Sequence, residues 1–123
     1  MHALRYLKVH VKSKIQAQKA VKNLTPKQME SLFSTMAGYF GVLSEPTRLR
    51  IMYAVCTGEK TVSEVIELCG SSQANVSRHL AALFKAGILN RRKQGVAVYY
   101  SIADNDTVEM CQIVCSRLAQ GLH

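Results

Sequence analysis

With 123 residues, 48% of them hydrophobic, the chain can build one core and has no room for a second domain. Sixteen Lys and Arg against eight Asp and Glu give a formal charge of +8, which points to a polyanionic partner. No segment approaches the roughly 18–20 apolar residues that span a bilayer, and Lys8, Lys12 and Lys14 interrupt any signal-like run, so no membrane association and a cytoplasmic location are predicted.

The basic excess lies at one end. Residues 1–24 carry six basic groups (Arg5, Lys8, Lys12, Lys14, Lys19, Lys22) and no acidic one, which leaves ten against eight for residues 25–123. This predicts a basic N-terminal extension, residues 1–24, ahead of one folded domain, residues 25–123. Within the extension Leu4, Leu7, Val11 and Ile15 recur at near-helical spacing.

Thr25-Pro26-Lys27-Gln28 reads as a helix start with a capping box, and Met29, Leu32, Phe33, Met36, Tyr39 and Phe40 form the buried stripe of a helix ending near Tyr39. Ser44-Glu45-Pro46-Thr47 repeats the signal, with Ser44 as cap, before a helix with Leu49, Ile51, Met52, Tyr53 and Val55 that ends near Cys56. Thr61 or Ser63 opens a short helix through Leu68, packing Val62, Val65, Ile66 and Leu68, and Gly70 stops it. Ser71 or Ser72 then caps a helix from about Gln73 to Lys85, with Val76, Leu80, Leu83 and Phe84 on its core face. Two short helices joined by a tight glycine turn make a helix-turn-helix. After Gly87, Ile88 to Asn90 and Val96 to Ile102 read as strands around the basic tip Arg91-Arg92-Lys93-Gln94-Gly95. A last helix from about Asp106 to Gly121 carries Val108, Cys111, Cys115, Leu118 and Leu122 on one stripe, with Asp104 and Asp106 at its N-terminal, dipole-favoured end.

The second helix of the pair has the chemistry of a major-groove reader. Gln73 and Asn75 can pair bidentately with adenine and Arg78 with guanine or phosphate; Ser77 and His79 add polar contacts, and the free amides near Ser72 suit a phosphate. Three consecutive cations, Arg91, Arg92 and Lys93, repel one another unless a polyanion is near, so they fit a wing along the DNA backbone or minor groove. The expected fold is mainly α with a small β-hairpin wing, a winged helix-turn-helix dimeric through its first and terminal helices. The terminal stripe has too little of its own subunit to bury against, which makes a homodimer the expected state.

From Tyr39 to Ile102 the chain resembles the arsenical-resistance repressor family (ArsR/SmtB). The match rests on Leu43-Ser44-Glu45-Pro46-Thr47-Arg48-Leu49-Arg50-Ile51, Val76-Ser77-Arg78-His79-Leu80, Lys85-Ala86-Gly87-Ile88-Leu89 and Val98-Tyr99-Tyr100. The resemblance implies a dimeric repressor that binds double-stranded operator DNA and leaves it when an inducer binds. Arsenic and cadmium sensors of this kind carry Cys-Val-Cys where this chain has Thr61-Val62-Ser63. Zinc sensors carry Asp-x-His where it has Asp104-Asn105-Asp106, and a late histidine pattern where it has Arg117, Leu118, Ala119 and Gln120. Arg117 cannot ligate zinc.

Four cysteines remain, with Cys69 read as core. In sulfide and redox sensors resembling this family, Tyr53 stands where the first sensor cysteine lies, Cys56 follows three residues on, and Cys115 comes earlier than the second. The readings left open are a thiol switch between Cys56 and Cys115 or Cys111, a soft-metal pair at Cys111 and Cys115, and plain packing. No cofactor is required by any motif. A signal-free DNA-binding protein is the alternative function, and no Ser-His-acid order or glycine phosphate loop suggests an enzyme.

Overall fold

The computed structural model describes Gln16 and residues 18–123, so the apolar repeat expected from Leu4 to Ile15 lies outside the described residues. The chain divides after Gly38 into two compact units, and the helix Pro26–Leu43 contributes to both. From Pro26 onward the elements are α1 (Pro26–Leu43), α2 (Pro46–Val55), β1 (Lys60–Thr61), α3 (Val62–Cys69), α4 (Gln73–Lys85), β2 (Leu89–Gln94), β3 (Ala97–Ile102) and α5 (Asn105–Gln120). Among the described residues no helix is long and apolar enough to cross a membrane.

Local chemistry sets most of the boundaries. At α1 the Thr25 amide donates to Gln28 Oε1 at 2.9 Å and the Gln28 amide to Thr25 Oγ1 at 3.1 Å, the expected reciprocal cap. The helix continues past Tyr39 to Leu43, because its apolar spacing does not stop before Val42 and Leu43 and the first strong break is Pro46. Glu45, held extended ahead of that proline, caps α2 by accepting the Arg48 amide, whereas Ser44 closes α1 by donating to the Gly41 carbonyl. Thr61 and Glu64 form the capping box of α3, Gly70 ends it at φ +66°, and Ser72 caps α4.

In the second unit, α2, α3 and α4 close around Ile51, Met52, Val55, Val65, Val76, Leu80 and Leu83, with Ile88, Leu89 and Tyr100 completing the core from the hairpin side. The sheet is antiparallel in the order β1-β3-β2, with Lys60 opposite Tyr100, and Leu89 opposite Ile102 through to Gln94 opposite Ala97. The hairpin is thus longer than its apolar segments suggest, turning at Gly95 (φ +62°) and Val96. The fold is the winged helix-turn-helix expected from the sequence.

Two side-chain ties fasten α5. Asp104 caps it by accepting the amides of Asp106 and Thr107, and it accepts the buried Thr107 hydroxyl as well. That hydroxyl oxygen accepts from Tyr39 in the last turns of α1. Burial, then the charges of Asp104, Cys111 and Asp106, push the Tyr39 phenol up to about 12, so it stays a donor. Several residues expected inside lie outside: Leu49, Tyr53, Leu68 and Phe84 are exposed, as are Phe33 and Met36 in the first unit.

Candidate nucleic-acid interface

The α4 helix points its apolar stripe inward, and the residues between the stripe positions face water. Ser72, Gln73, Ser77 and Arg78 are exposed along its first two turns, as a groove-reading helix requires. Asn75 is half-buried and already committed: its amide nitrogen donates to Ser71 Oγ at 2.8 Å, and its oxygen accepts Arg78 Nη2 at 2.7 Å. Arg78 is thereby held against the helix surface, which reduces the rotamer freedom it would lose on meeting a base.

His79 does not belong to this face. It is buried at 4% exposure, on the same stripe as Val76, Leu80 and Leu83. Its Nδ1 accepts Arg48 Nε at 3.0 Å, which puts its proton on Nε2, 3.6 Å from the Glu45 carboxylate. Arg48 also donates through Nη1 to the Val42 carbonyl at 3.2 Å. Burial opposes ionisation of Glu45, yet the Arg48 amide, His79 and Thr47 together hold its carboxyl below the ordinary range. The expectation that His79 contacts DNA is therefore corrected: its polarity serves an internal network, and a run such as Ser77-Arg78-His79 gives no sign of which member turns inward.

The wing cations are likewise redistributed. Arg91, Arg92 and Lys93 lie on strand β2, not at the tip, and successive side chains take opposite faces. Arg91 stacks over the Phe84 ring of α4, 4.2 Å from its centroid, which explains why Phe84 can stay partly exposed. Lys93 is exposed on the strand. Arg92 lies over Tyr99 at 4.3 Å and forms a two-point pair with Glu59, Nη2 to Oε1 at 2.7 Å and Nε to Oε2 at 2.8 Å. Its Nη1 donates to Gln94 at 2.7 Å. Strand β1, which brings Glu59 to the sheet edge, is two residues long, too short for any periodic signal.

All four cysteines are free thiols. Cys56 caps the end of α2 and donates to the Tyr53 carbonyl at 3.0 Å, while Cys69 is half-buried against the core as expected. Cys111 and Cys115 stand one turn apart on α5, Cys111 half-buried and Cys115 exposed. Burial and then the neighbouring Cys115 push the Cys111 thiol up, and burial does the same for Cys69. Among the described residues no group of three or more His, Cys, Asp or Glu side chains is arranged to hold a metal ion.

The model for the family described as bacterial regulatory protein, arsR family, matches residues 45–91, from the Glu45 cap to the wing. The chain is 31% identical over 113 residues to a transcriptional repressor SmtB homolog of Synechocystis sp., covering 92% of this chain and 81% of that protein. It is 34% identical over 79 residues to a probable mercury resistance operon repressor of Streptomyces lividans, where the match spans 64% of this chain and 63% of the relative. Among solved structures, Rv0081 of Mycobacterium tuberculosis superposes with a TM-score of 0.66 at 32% identity, covering 74% of this chain and 92% of that one.

Arg48→Ala strips the buried His79 ring and the Val42 carbonyl of their shared donor, and an acceptor left unsatisfied costs about 1–3 kcal/mol. Urea unfolding should show a loss of that size, and Arg48→Lys, whose single ammonium lacks the fork geometry, should recover only part of it. Equal stability of Arg48→Ala and wild type would mean that His79 needs no such donor.

Proposed function

The chain belongs to the arsR family of bacterial regulatory proteins, which are DNA-binding transcriptional regulators, and from that premise we propose that it acts as a homodimeric operator-binding repressor released by chemistry at its cysteines. The observation that carries the DNA reading is the Ser72-capped α4 helix with Gln73, Ser77 and Arg78 exposed on its leading turns beside a wing bearing Arg91 and Lys93. Side chains of that kind read base edges, and the wing cations meet phosphates. Gln73→Ala and Arg78→Ala should each weaken operator binding by about 1–3 kcal/mol and relax base preference, whereas a wing lysine such as Lys93, changed to Ala, should weaken all DNA alike and shallow the salt dependence. Titrations against operator and random duplexes at several salt concentrations read both effects. Equal affinity for the two duplexes in wild type would favour a signal-free DNA-binding protein instead.

A second subunit is supported by the terminal helix. Its first turns, with Val108, Met110 and Cys111, pack on the core, but Ile113, Val114, Leu118 and Leu122 remain 41–89% exposed. An apolar stripe of this kind is normally covered. Two subunits joined there would carry two reader helices to half-sites about 34 Å apart. Sedimentation should give a dimer for wild type at micromolar concentration and a monomer for Leu118→Glu; a monomeric wild type would overturn this part of the reading.

The inducer reading rests on the thiols of α2 and α5. Cys115 is the accessible member of the α5 pair, and Cys56 closes the helix that leads into the helix-turn-helix. Joining two thiols as a disulfide gives up two electrons and two protons, which peroxide or sulfane sulfur accepts, and it requires Cα atoms within about 7 Å. A cross-link from Cys56 to Cys115 or Cys111 would tie α5 to α2 at that short separation, and we propose that this changes the spacing of the two half-site readers. Cys56→Ser and Cys115→Ser should abolish operator release by polysulfide or peroxide. A soft-metal site at Cys111 and Cys115 would instead give release that a chelator reverses and Cys56→Ser leaves intact. If both serine variants respond to oxidant as wild type does, the thiol pair is wrong.

A further inference from the structure

We infer that Glu59 is an internal stand-in for a DNA phosphate, occupying the phosphate-binding face of Arg92 in the free protein and thereby holding down the affinity of the wing for arbitrary DNA. The inference rests on the DNA-binding reading above and concerns how one of its cations is held in reserve.

The geometry is that of an arginine already bound to an oxyanion. The guanidinium edge made by Nε and Nη2 meets both oxygens of Glu59, at 2.8 and 2.7 Å, in the parallel two-point arrangement that arginine uses for carboxylates and phosphates alike. Its plane rests on Tyr99, and Nη1 is turned to Gln94, so ring and amide keep the fork aimed at Glu59. The other cation near this loop is directed elsewhere: Lys60 Nζ donates to the Gly58 carbonyl at 3.2 Å and to Thr57 Oγ1 at 3.4 Å. Both partners of the pair remain open to solvent, with side-chain exposures of 49% for Arg92 and 34% for Glu59. A backbone phosphate can therefore reach the guanidinium without the core opening.

A phosphate that takes Arg92 must displace a carboxylate of equal charge and similar bite. The exchange leaves Glu59 uncompensated beside the DNA, so Arg92 adds little net neutralisation of the duplex. Arg91 and Lys93 have no carboxylate partner among the described residues. Nonspecific affinity grows with each phosphate neutralised, whereas base reading by α4 does not. An internal carboxylate on one wing cation thus lowers affinity for operator and random DNA alike and leaves base discrimination to α4.

Removing the carboxylate charge frees the contact. Glu59→Gln should steepen the slope of log affinity against log salt by about 0.9, so that its advantage over wild type on random duplex changes about threefold between roughly 50 and 200 mM salt. The ratio of operator to random affinity should stay the same, since a backbone contact is made on both duplexes. In the Arg92→Ala background the same substitution should leave the slope unchanged, since no cation remains to be released. Thermal melting of each variant, run alongside, verifies that the exposed pair was not holding the fold. A Glu59→Gln slope equal to that of wild type would overturn the inference, as would an equal steepening with and without Arg92, which would reflect through-space charge alone. A wild-type protein that binds no DNA would remove the functional reading first and this inference with it.

Discussion

Much of the architecture turns on the side chain of Arg48. Its Nε fixes His79 on the inward face of α4, and its Nη1 holds the Val42 carbonyl at the end of α1, while its own amide is taken by the Glu45 cap. A guanidinium donates along fixed directions, so bonds to two elements at once restrict how α4 can rotate about its axis. That rotation decides which side chains face out. With about 100° between successive helical residues, placing His79 inward leaves Arg78 and Ser77 on the outer flank. The reader surface is therefore set by a buried polar network beneath it as much as by its own residues.

The same end of α1 also serves the terminal helix. Tyr39 reaches Thr107, which Asp104 holds in turn, so the cap of α5 is continuous with a buried hydroxyl and a phenol that stays protonated. Within four residues, Tyr39 and Val42 fasten two different helices. Every buried polar side-chain atom among the described residues has a partner, consistent with the high cost of an unpaired one. The apolar contribution is graded along α5. Residues near Thr107 rest on the core, and exposure rises toward Leu122. The helix is anchored at its start and unburied at its end, which is the condition under which a second subunit or a chemical change at Cys115 has something to act on.

Where local rules suffice, the elements were legible in the sequence. The Thr25 box, a serine cap at Ser71 or Ser72, the bounds of α4 and the Gly70 stop each follow from a short-range bond that needs only its own few residues, whereas Asp104, read only as a dipole-favoured charge, is the cap of α5. Legibility failed where a distant partner decides. Ser44 is by type as good a cap as Glu45, and only the Arg48 network favours the latter. Apolar type at helical spacing places Tyr53 and Leu68 in the core, yet they are 75% and 61% exposed. Strand β2 carries almost no apolar residues, because its ladder is built on backbone bonds to β3 and its outward side chains are charged. Of the residues expected to face DNA, the exposure of Gln73, Ser77 and Arg78 was legible from the cap and the stripe; the inward turn of His79 was not.

Charge counts read from a sequence overstate what a surface can offer to DNA. Three adjacent wing cations look like one patch, but the strand sends them to alternate faces, stacks one on Phe84, pairs one with Glu59 and leaves Lys93 exposed. The binding field felt by a duplex is the residue of that internal compensation. For a DNA-binding regulator this matters more than total charge, because sequence-independent attraction is shared by every site, while an operator is distinguished only by contacts to its bases. A chain with a formal charge of +8 has attraction in excess. Restraining a cation lowers that shared attraction everywhere, and the Glu59 carboxylate lies where such restraint acts on the wing without touching α4.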